Sequence, residues 1–329
     1  MRTLYPLKFS PIPREMIWGG NRLHEMFNKN FPGEVRIGES WEISGYKGKL
    51  SVVANGHLKG NNIEELIGVY MGDLVGEKVF DSYGVEFPLL IKLIDSNENL
   101  SVQVHPDDEL AALRHNERGK TEMWYVLHAE QGAELISGFN REVTRELFLE
   151  KLERGKLAEI LNFEKVMPGD VFFMPAGRVH AICKGIVLAE IQQTSDLTYR
   201  IYDWGRVDKQ GIPRDLHIDL ALDAIDYSWH RDYKTVAPTL EGSPALLADC
   251  PWFTTQRLAF SRRLVRDYSL LDSFVIHICT KGEYSLYYYN EKDKITVSAG
   301  ETVLIPAMLD ELVLGCSGNA EILEVYIKS

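Results

Sequence analysis

The sequence predicts a mainly β protein: two antiparallel double-sheet barrels of the jelly-roll type, joined and decorated by short helical insertions. Three observations predict it. Apolar runs of strand length recur along the chain, separated by Gly- and Pro-containing turns, with few helical stretches between them. Polar and apolar residues alternate in the strands near the middle, so Gln103 and His105 face one layer while Val102 and Val104 face the other. The second half also echoes the first. SAGETVLIPAMLDELVL repeats the turn and strand pattern of VMPGDVFFMPAGRVHAI, with Gly300 standing for Gly169 and Pro306 for Pro175, 131 residues on in both cases. FVIHICTKGEYSLY likewise echoes MWYVLHAEQGAELISG.

In chain order, residues 1–20 are rich in Pro and aromatics, too broken for a helix, and are expected to lie extended along a barrel. GESWEIS (residues 38–44) alternates as a strand, with Glu39, Trp41 and Ile43 on one side and Glu42 on the other. Residues 49–54 read as a further strand leading to a turn at Asn55-Gly56. NNIEELIGVYMGDLVGEKVF has helical spacing from Ile63 to Leu74, with Asn61 or Asn62 as N-cap. Strands follow at residues 88–95 and 100–105, then a helical piece, then a strand from Glu122. Thr144 opens a helical insertion whose charged face is a solvated surface. Pro168-Gly169-Asp170 and Pro175-Ala176-Gly177 are turns, the second leading into the strand that bears His180. Two more strands lie in IVLAEIQQTSDLTYRIYDWGR, a helix in RDLHIDLALDAIDYS, and a connecting linker in HRDYKTVAPTLEGSP. These boundaries divide the chain into a catalytic domain, 1–235, and a C-terminal barrel, 236–329.

A formal charge of −12 argues against a nucleic-acid surface, which needs a basic patch, but not against a local cluster of cations holding an anion. The four cysteines are far apart and form no C-x-x-C, so they read as free thiols in a reducing compartment. The N-terminus lacks an apolar core of signal-peptide length, and no run of 18 uncharged apolar residues occurs. A cytoplasmic protein without membrane partners is expected.

Inside such a barrel a polar side chain needs an explanation. A single histidine is most simply a satisfied core or surface residue, and His24, His57, His115, His128, His217, His230 and His277 are read so. The combination of Q-V-H (Gln103, His105), K-T-E opening the next strand (Glu122) and G-R-V-H after a turn (His180) instead suggests a metal cage. Imidazole with carboxylate and no thiolate suits Zn, Fe, Mn or Ni, and Gln103 is either a ligand or an orienting neighbour. In the second copy Glu311 stands where His180 does. Asp272 stands for Glu122 if Gly282 is aligned on Gly132, so that barrel is expected to be degenerate and metal-free. Lys92, Lys120, Arg200 and Arg178 bring positive charge near the cage. A lysine in the apolar run PLLIKLID requires a polar cavity or an edge position with its head group in water. Arg200 is either an active-site cation or a salt-bridge partner of Asp196 or Asp203. Together the cations suggest an anionic substrate such as a phosphoryl group.

LSVQVHPDDELA, GKTEMWYVL, PAGRVHAI and QQTSDLTYRIYDWGR, with IWGG and GESWEIS upstream, resemble the short bacterial type I mannose-6-phosphate isomerases of the cupin superfamily. The likeness runs to about residue 230, and the rest fits the family's degenerate second cupin. The resemblance implies two cupin-type barrels, one zinc ion per chain held by Gln103, His105, Glu122 and His180, and a sugar phosphate as substrate. It implies Arg200 as the active-site arginine; Lys120, two residues before Glu122, is expected to be catalytic beside it, and Lys92 to bind substrate. This chain has Lys-Thr-Glu where longer members have Lys-Pro-Glu, and it lacks their long helical domain. The reaction implied moves a proton between C2 and C1 of an aldose 6-phosphate through an enediol, with Lys120, Glu39 or Glu42 as base. Two other readings compete: an iron-dependent cupin oxygenase and a non-catalytic sugar-phosphate sensor. Oligomeric state is open.

Overall fold

The strand that carries Lys92 is buried along its whole length, because it runs between two layers of the molecule. In the computed structural model, which describes residues 4–31, 36–207, 210–238 and 240–328, the first half runs as follows. β1 (Leu7–Lys8), β2 (Ile12–Gly20), α1 (Arg22–Phe27) and β3 (Ile37–Ser44) precede three short helices, α2 (Ile63–Tyr70), α3 (Gly72–Val75) and α4 (Glu77–Tyr83). Then come β4 (Leu89–Ser96), β5 (Val102–Val104), α5 (Asp108–His115), β6 (Glu122–Ala129), β7 (Glu134–Phe139) and α6 (Arg145–Glu153). The half closes with β8 (Leu161–Lys165), β9 (Val171–Met174), β10 (His180–Ile182), β11 (Ile186–Gln193), β12 (Tyr199–Tyr202), α7 (Ile218–Ala224) and β13 (Lys234–Thr235). A seven-stranded sheet, β13-β9-β6-β11-β4-β3-β2, faces a five-stranded one, β12-β5-β10-β7-β8.

The second half holds β14 (Ala245–Asp249), β15 (Thr254–Phe260), β16 (Leu264–Asp267), β17 (Val275–Lys281) and β18 (Glu283–Tyr288). β19 (Asp293–Ser298), β20 (Thr302–Ile305), β21 (Glu311–Gly315) and β22 (Ala320–Tyr326) complete it. Its sheets are β1-β20-β17-β22-β15-β14 and β16-β21-β18-β19. Apart from the edge strands, these orders repeat those of the first half: β20-β17-β22-β15-β14 matches β9-β6-β11-β4-β3, and β16-β21-β18-β19 matches β5-β10-β7-β8. The chain is therefore mainly β, with two cupin-type modules, each a pair of facing sheets rather than a closed cylinder.

Four layers result. Leu135, Ile182, Trp124 and Phe172 fill the inside of the first module, and Leu258, Val303, Leu286 and Leu312 that of the second. Between the modules, Leu93, Met123, Tyr125 and Ile191 of the seven-stranded sheet share one apolar core with Ile276, Leu304, Leu323 and Val325 of the six-stranded sheet. On the far side, Phe148 of α6 and Leu222 of α7 cover Val102, Val104 and Ile136.

Several elements differ from expectation. The helical stretch after Asn62 is broken twice, at Met71 (φ 46°) and Gly76 (φ 94°), giving α2, α3 and α4. Residues 49–54 form only isolated bridges, Phe9 with Val53 and Val52 with Asn62. The supposed linker contains β13, which pairs with β9, and buried Tyr233, which is bonded to the Phe139 backbone. In the second module Glu311 is exposed and the next residue, buried Leu312, faces the interior. Asp272 is not the counterpart of Glu122. Glu122 pairs with Met174 and Val275 pairs with Ile305, so Val275 occupies that place. Asp272 instead caps α4, its carboxylate accepting the Glu77 and Lys78 N–H groups at 2.7 and 3.1 Å.

Candidate active site

β5, β6 and β10 bring the four expected ligands together from both sheets of the first module. Gln103 lies opposite His180 in the β5–β10 ladder, and Glu122 opens β6 on the facing sheet. The turn before β10 is held by Gly177, whose N–H bonds the His105 carbonyl at 2.9 Å and whose φ of 88° favours glycine. Glu122 Oε1 is 3.3 Å from His180 Nε2, and Oε2 is 3.6 Å from His105 Nε2. Gln103 Nε2 is 3.3 Å from His180 Nε2. Rotating the amide exchanges its oxygen for its nitrogen in the same place, with Ser101 Oγ able to serve either.

Both imidazoles are oriented from behind. His105 Nδ1 donates to the Leu197 carbonyl at 2.7 Å and His180 Nδ1 to the Arg178 carbonyl at 2.8 Å, so each ring presents an Nε2 lone pair to the carboxylate. His105 Nε2 and both Glu122 oxygens are buried, and Lys120 is the one cation beside the carboxylate among the described residues. Burial, with Lys120 adding to it, keeps His105 well below the ordinary histidine value, and burial lowers His180 to about 4. Two neutral imidazoles facing a carboxylate, their ligand atoms all within 4.8 Å, fit a divalent cation. Among the described residues this is the one cluster of three such groups.

Gln103 and Lys120, in contact with the cluster, also line a cavity of about 290 Å³ together with Glu39, Lys92, Glu190, Asp196, Arg200 and Arg214, with Trp18, Ile94 and Leu100 on its apolar side. Lys120 Nζ sits 3.1 Å from Glu122 Oε2 as an ion pair. Lys92 is not at an edge. It is buried, 3.0 Å from Glu190 and 3.8 Å from Glu39, in the cross-strand row Trp124–Glu190–Lys92–Trp41. Although burial opposes its charge, Glu190 and Glu39 outweigh it and raise the Lys92 pKa. Burial would raise Glu190 too, yet Lys92 and Lys120 hold it low. Burial and the charge of Glu190 push Glu122 up.

Arg200 pairs with neither Asp196 nor Asp203. Its Nη1 donates to the Asp215 carbonyl at 2.8 Å and its buried Nε has no partner. His217 holds it by the backbone, Nδ1 accepting the Arg200 N–H at 3.0 Å. Burial and the nearby Arg214 lower the Arg200 pKa, which marks a locally positive place inside an acidic protein. Arg178 does not reach the cavity; it stacks on Tyr233 at 4.8 Å. Glu42 also faces away, bonded to Ser40 and to Lys29. A bulge after Trp41 turns Ile43 outward into the shared core, leaving Glu39, held by Trp41 Nε1 at 2.7 Å, facing the cavity. Glu190 and Arg214 were not anticipated, and Asp196 was expected only as a partner for Arg200. Glu190 carries the same signal as Lys92, a charge inside an apolar strand, IVLAEIQQ.

Fold and site together define a bicupin whose first module has a His–Glu–His cluster that could hold a metal, beside a cation-lined pocket. A family model for the type I phosphomannose isomerase catalytic domain matches residues 7–133. The mannose-6-phosphate isomerase ManA of Bacillus subtilis is 42% identical over 228 residues, covering 68% of this chain and 69% of that one. The mannose-6-phosphate isomerase of Streptococcus mutans is 39% identical over 257 residues, covering 78% and 79%. The crystal structure of the mannose 6-phosphate isomerase from Bacillus subtilis matches with a TM-score of 0.88 at 30% identity, over 98% of this chain and all of that one. That of the Salmonella typhimurium enzyme in its apo form matches at 0.80 over 99% of this chain; at 17% identity it speaks for the fold alone. The chain belongs to the type I mannose-6-phosphate isomerases, which are aldose–ketose isomerases.

Proposed function

We propose that the chain interconverts mannose 6-phosphate and fructose 6-phosphate by zinc-assisted proton transfer through an enediol. The observation that carries this reading is the His105–Glu122–His180 cluster, which Gln103 and Lys120 join to a cavity that also holds Arg200. Gln103, His105, Glu122 and His180 would hold one zinc ion. Bound zinc supplies Lewis acidity to the sugar's carbonyl and hydroxyl oxygens.

The remaining roles fall to side chains that face the cavity. Arg200 has a free Nε and meets the developing oxyanion. Lys120, poised beside Glu122, moves the proton between C2 and C1. Lys92, neutralised by Glu190 and Glu39, fixes the sugar rather than the phosphate. Binding of the remote phosphoryl group is converted into orientation at the reacting carbons. Residues 1–235 form the catalytic domain and 236–329 the C-terminal cupin, in a cytoplasmic enzyme. Support for that location comes from four free cysteines and from the absence, among the described residues, of a helix long and apolar enough to cross a membrane.

A coupled assay for fructose 6-phosphate formed from mannose 6-phosphate tests the proposal. Turnover should vanish on chelation and return with zinc. Sugar-phosphate binding without turnover by the zinc-loaded protein would make it a sensor, and oxygen uptake with iron(II) would make it an oxygenase.

A further inference from the structure

Every residue lining the cavity belongs to the first half of the chain. One residue of the second half nevertheless reaches toward it. Trp252, half-buried in the turn between β14 and β15, donates its Nε1–H to Asp108 Oδ2 at 2.9 Å. The other oxygen of Asp108 accepts the Gly119 N–H at 2.8 Å and the Gln193 side-chain amide at 3.0 Å. Gln193 passes the contact on, its Oε1 accepting the Thr121 N–H at 2.8 Å. Between them the Lys120 N–H bonds the Pro106 carbonyl at 3.0 Å. Three consecutive amides, 119 to 121, are thus each tied to a separate acceptor. Gly119 is pressed so close to α5 that a Cβ there would lie 2.4 Å from the Asp107 carbonyl carbon. The side chain that this pinned segment aims into the cavity is Lys120.

We propose that Asp108 is a positioning residue for Lys120, and that Trp252 uses it to tie the second cupin to the catalytic floor. This rests on the role given to Lys120 above. Among the described residues the second module contributes no group to the cavity, but it holds one end of a strut whose other end sets the backbone of K-T-E. A lysine on four methylenes reaches the right place only if its Cα is fixed, and an ångström of misplacement is costly in turnover.

The test uses the metal-loaded enzyme. Asp108→Ala should lower kcat at least about tenfold and leave KM within about twofold, the signature of lost transition-state alignment rather than lost binding. Trp252→Phe should lower kcat about threefold, the strut being shortened rather than removed. Hydrogen exchange of residues 118–122 should speed up in both variants. Asp108→Asn places an amide N–H₂ against one of its donors, so adding Trp252→Phe to it should restore part of kcat. Asp272→Ala removes a different contact between the halves. It should lower Tm without changing kcat or exchange at 118–122. If Asp108→Ala and Trp252→Phe keep wild-type kcat and protection while Lys120→Met is inactive, the strut is overturned. If Lys120→Met itself retains turnover, the role of Lys120 fails instead.

Discussion

The charges buried in the cavity wall have unequal tasks, and single substitutions separate them. Arg200 has a buried Nε with no partner, so Arg200→Ala should cut turnover by orders of magnitude while metal analysis finds the ion still bound. His105→Ala should lose metal and activity together. Glu190→Gln works through stability, because it strips Lys92 of its nearest counter-charge inside an apolar sheet. A loss of about 3 kcal/mol is expected in urea unfolding, and Lys92→Met in the same chain should recover part of it. Lys92, His105, Glu122 and His180 were legible because each breaks an apolar or alternating strand, where a polar side chain is costly. Arg214 was not. It sits in an irregular loop with no period to violate, and only the fold sets it, bonded to Asp203, at the cavity mouth.

At the scale of elements, the helical region between the first strands shows what local pattern decides. Asn62 accepts the Glu65 N–H at 2.9 Å while Glu65 Oε2 accepts the Asn62 N–H at 2.9 Å, so Asn62→Ala should cost about 1 kcal/mol. Met71, exposed at φ 46°, holds a conformation that favours glycine, and Met71→Gly should raise stability by about 1 kcal/mol. Opposite shifts of Tm would check both. The cap was legible as Asn followed by Glu three residues on. The breaks were not, because apolar spacing continues unbroken to Leu74. They are set from outside: Asp73, Leu74 and Val75 give their carbonyls to Met308, Ala307 and Phe274 of the second module. Likewise the 131-residue echo revealed the repeat, since turn chemistry repeats with it. The echo could not reveal that one added residue before β21 turns Glu311 outward and Leu312 inward.

For the whole molecule, stability should depend on acid through the second module, whose interior holds a buried ion pair. Glu324 accepts both Arg266 Nε and Nη2 at 2.8 Å and the Tyr268 hydroxyl at 2.5 Å, beside His277. Burial would raise this carboxyl, but His277 and Arg266 hold it at about 2 against 4.5 when unfolded. A depressed carboxylate stabilises the fold above the unfolded pKa and ceases to as pH falls toward the folded one. About 3 kcal/mol should therefore be lost between pH 4.5 and 2. Glu324→Gln should flatten the acid limb of a Tm–pH curve while lowering the neutral plateau, since Arg266 is left without its partner. The two modules should also melt as one. They share the core of Leu93, Met123, Ile276 and Leu323, and β1 at the start of the chain pairs with β20 near its end. Cutting after residue 235 would expose one whole face of the seven-stranded sheet, so that fragment should fail to give a cooperative melt. A soluble 1–235 fragment with a cooperative transition of its own would instead make the second cupin an independent unit.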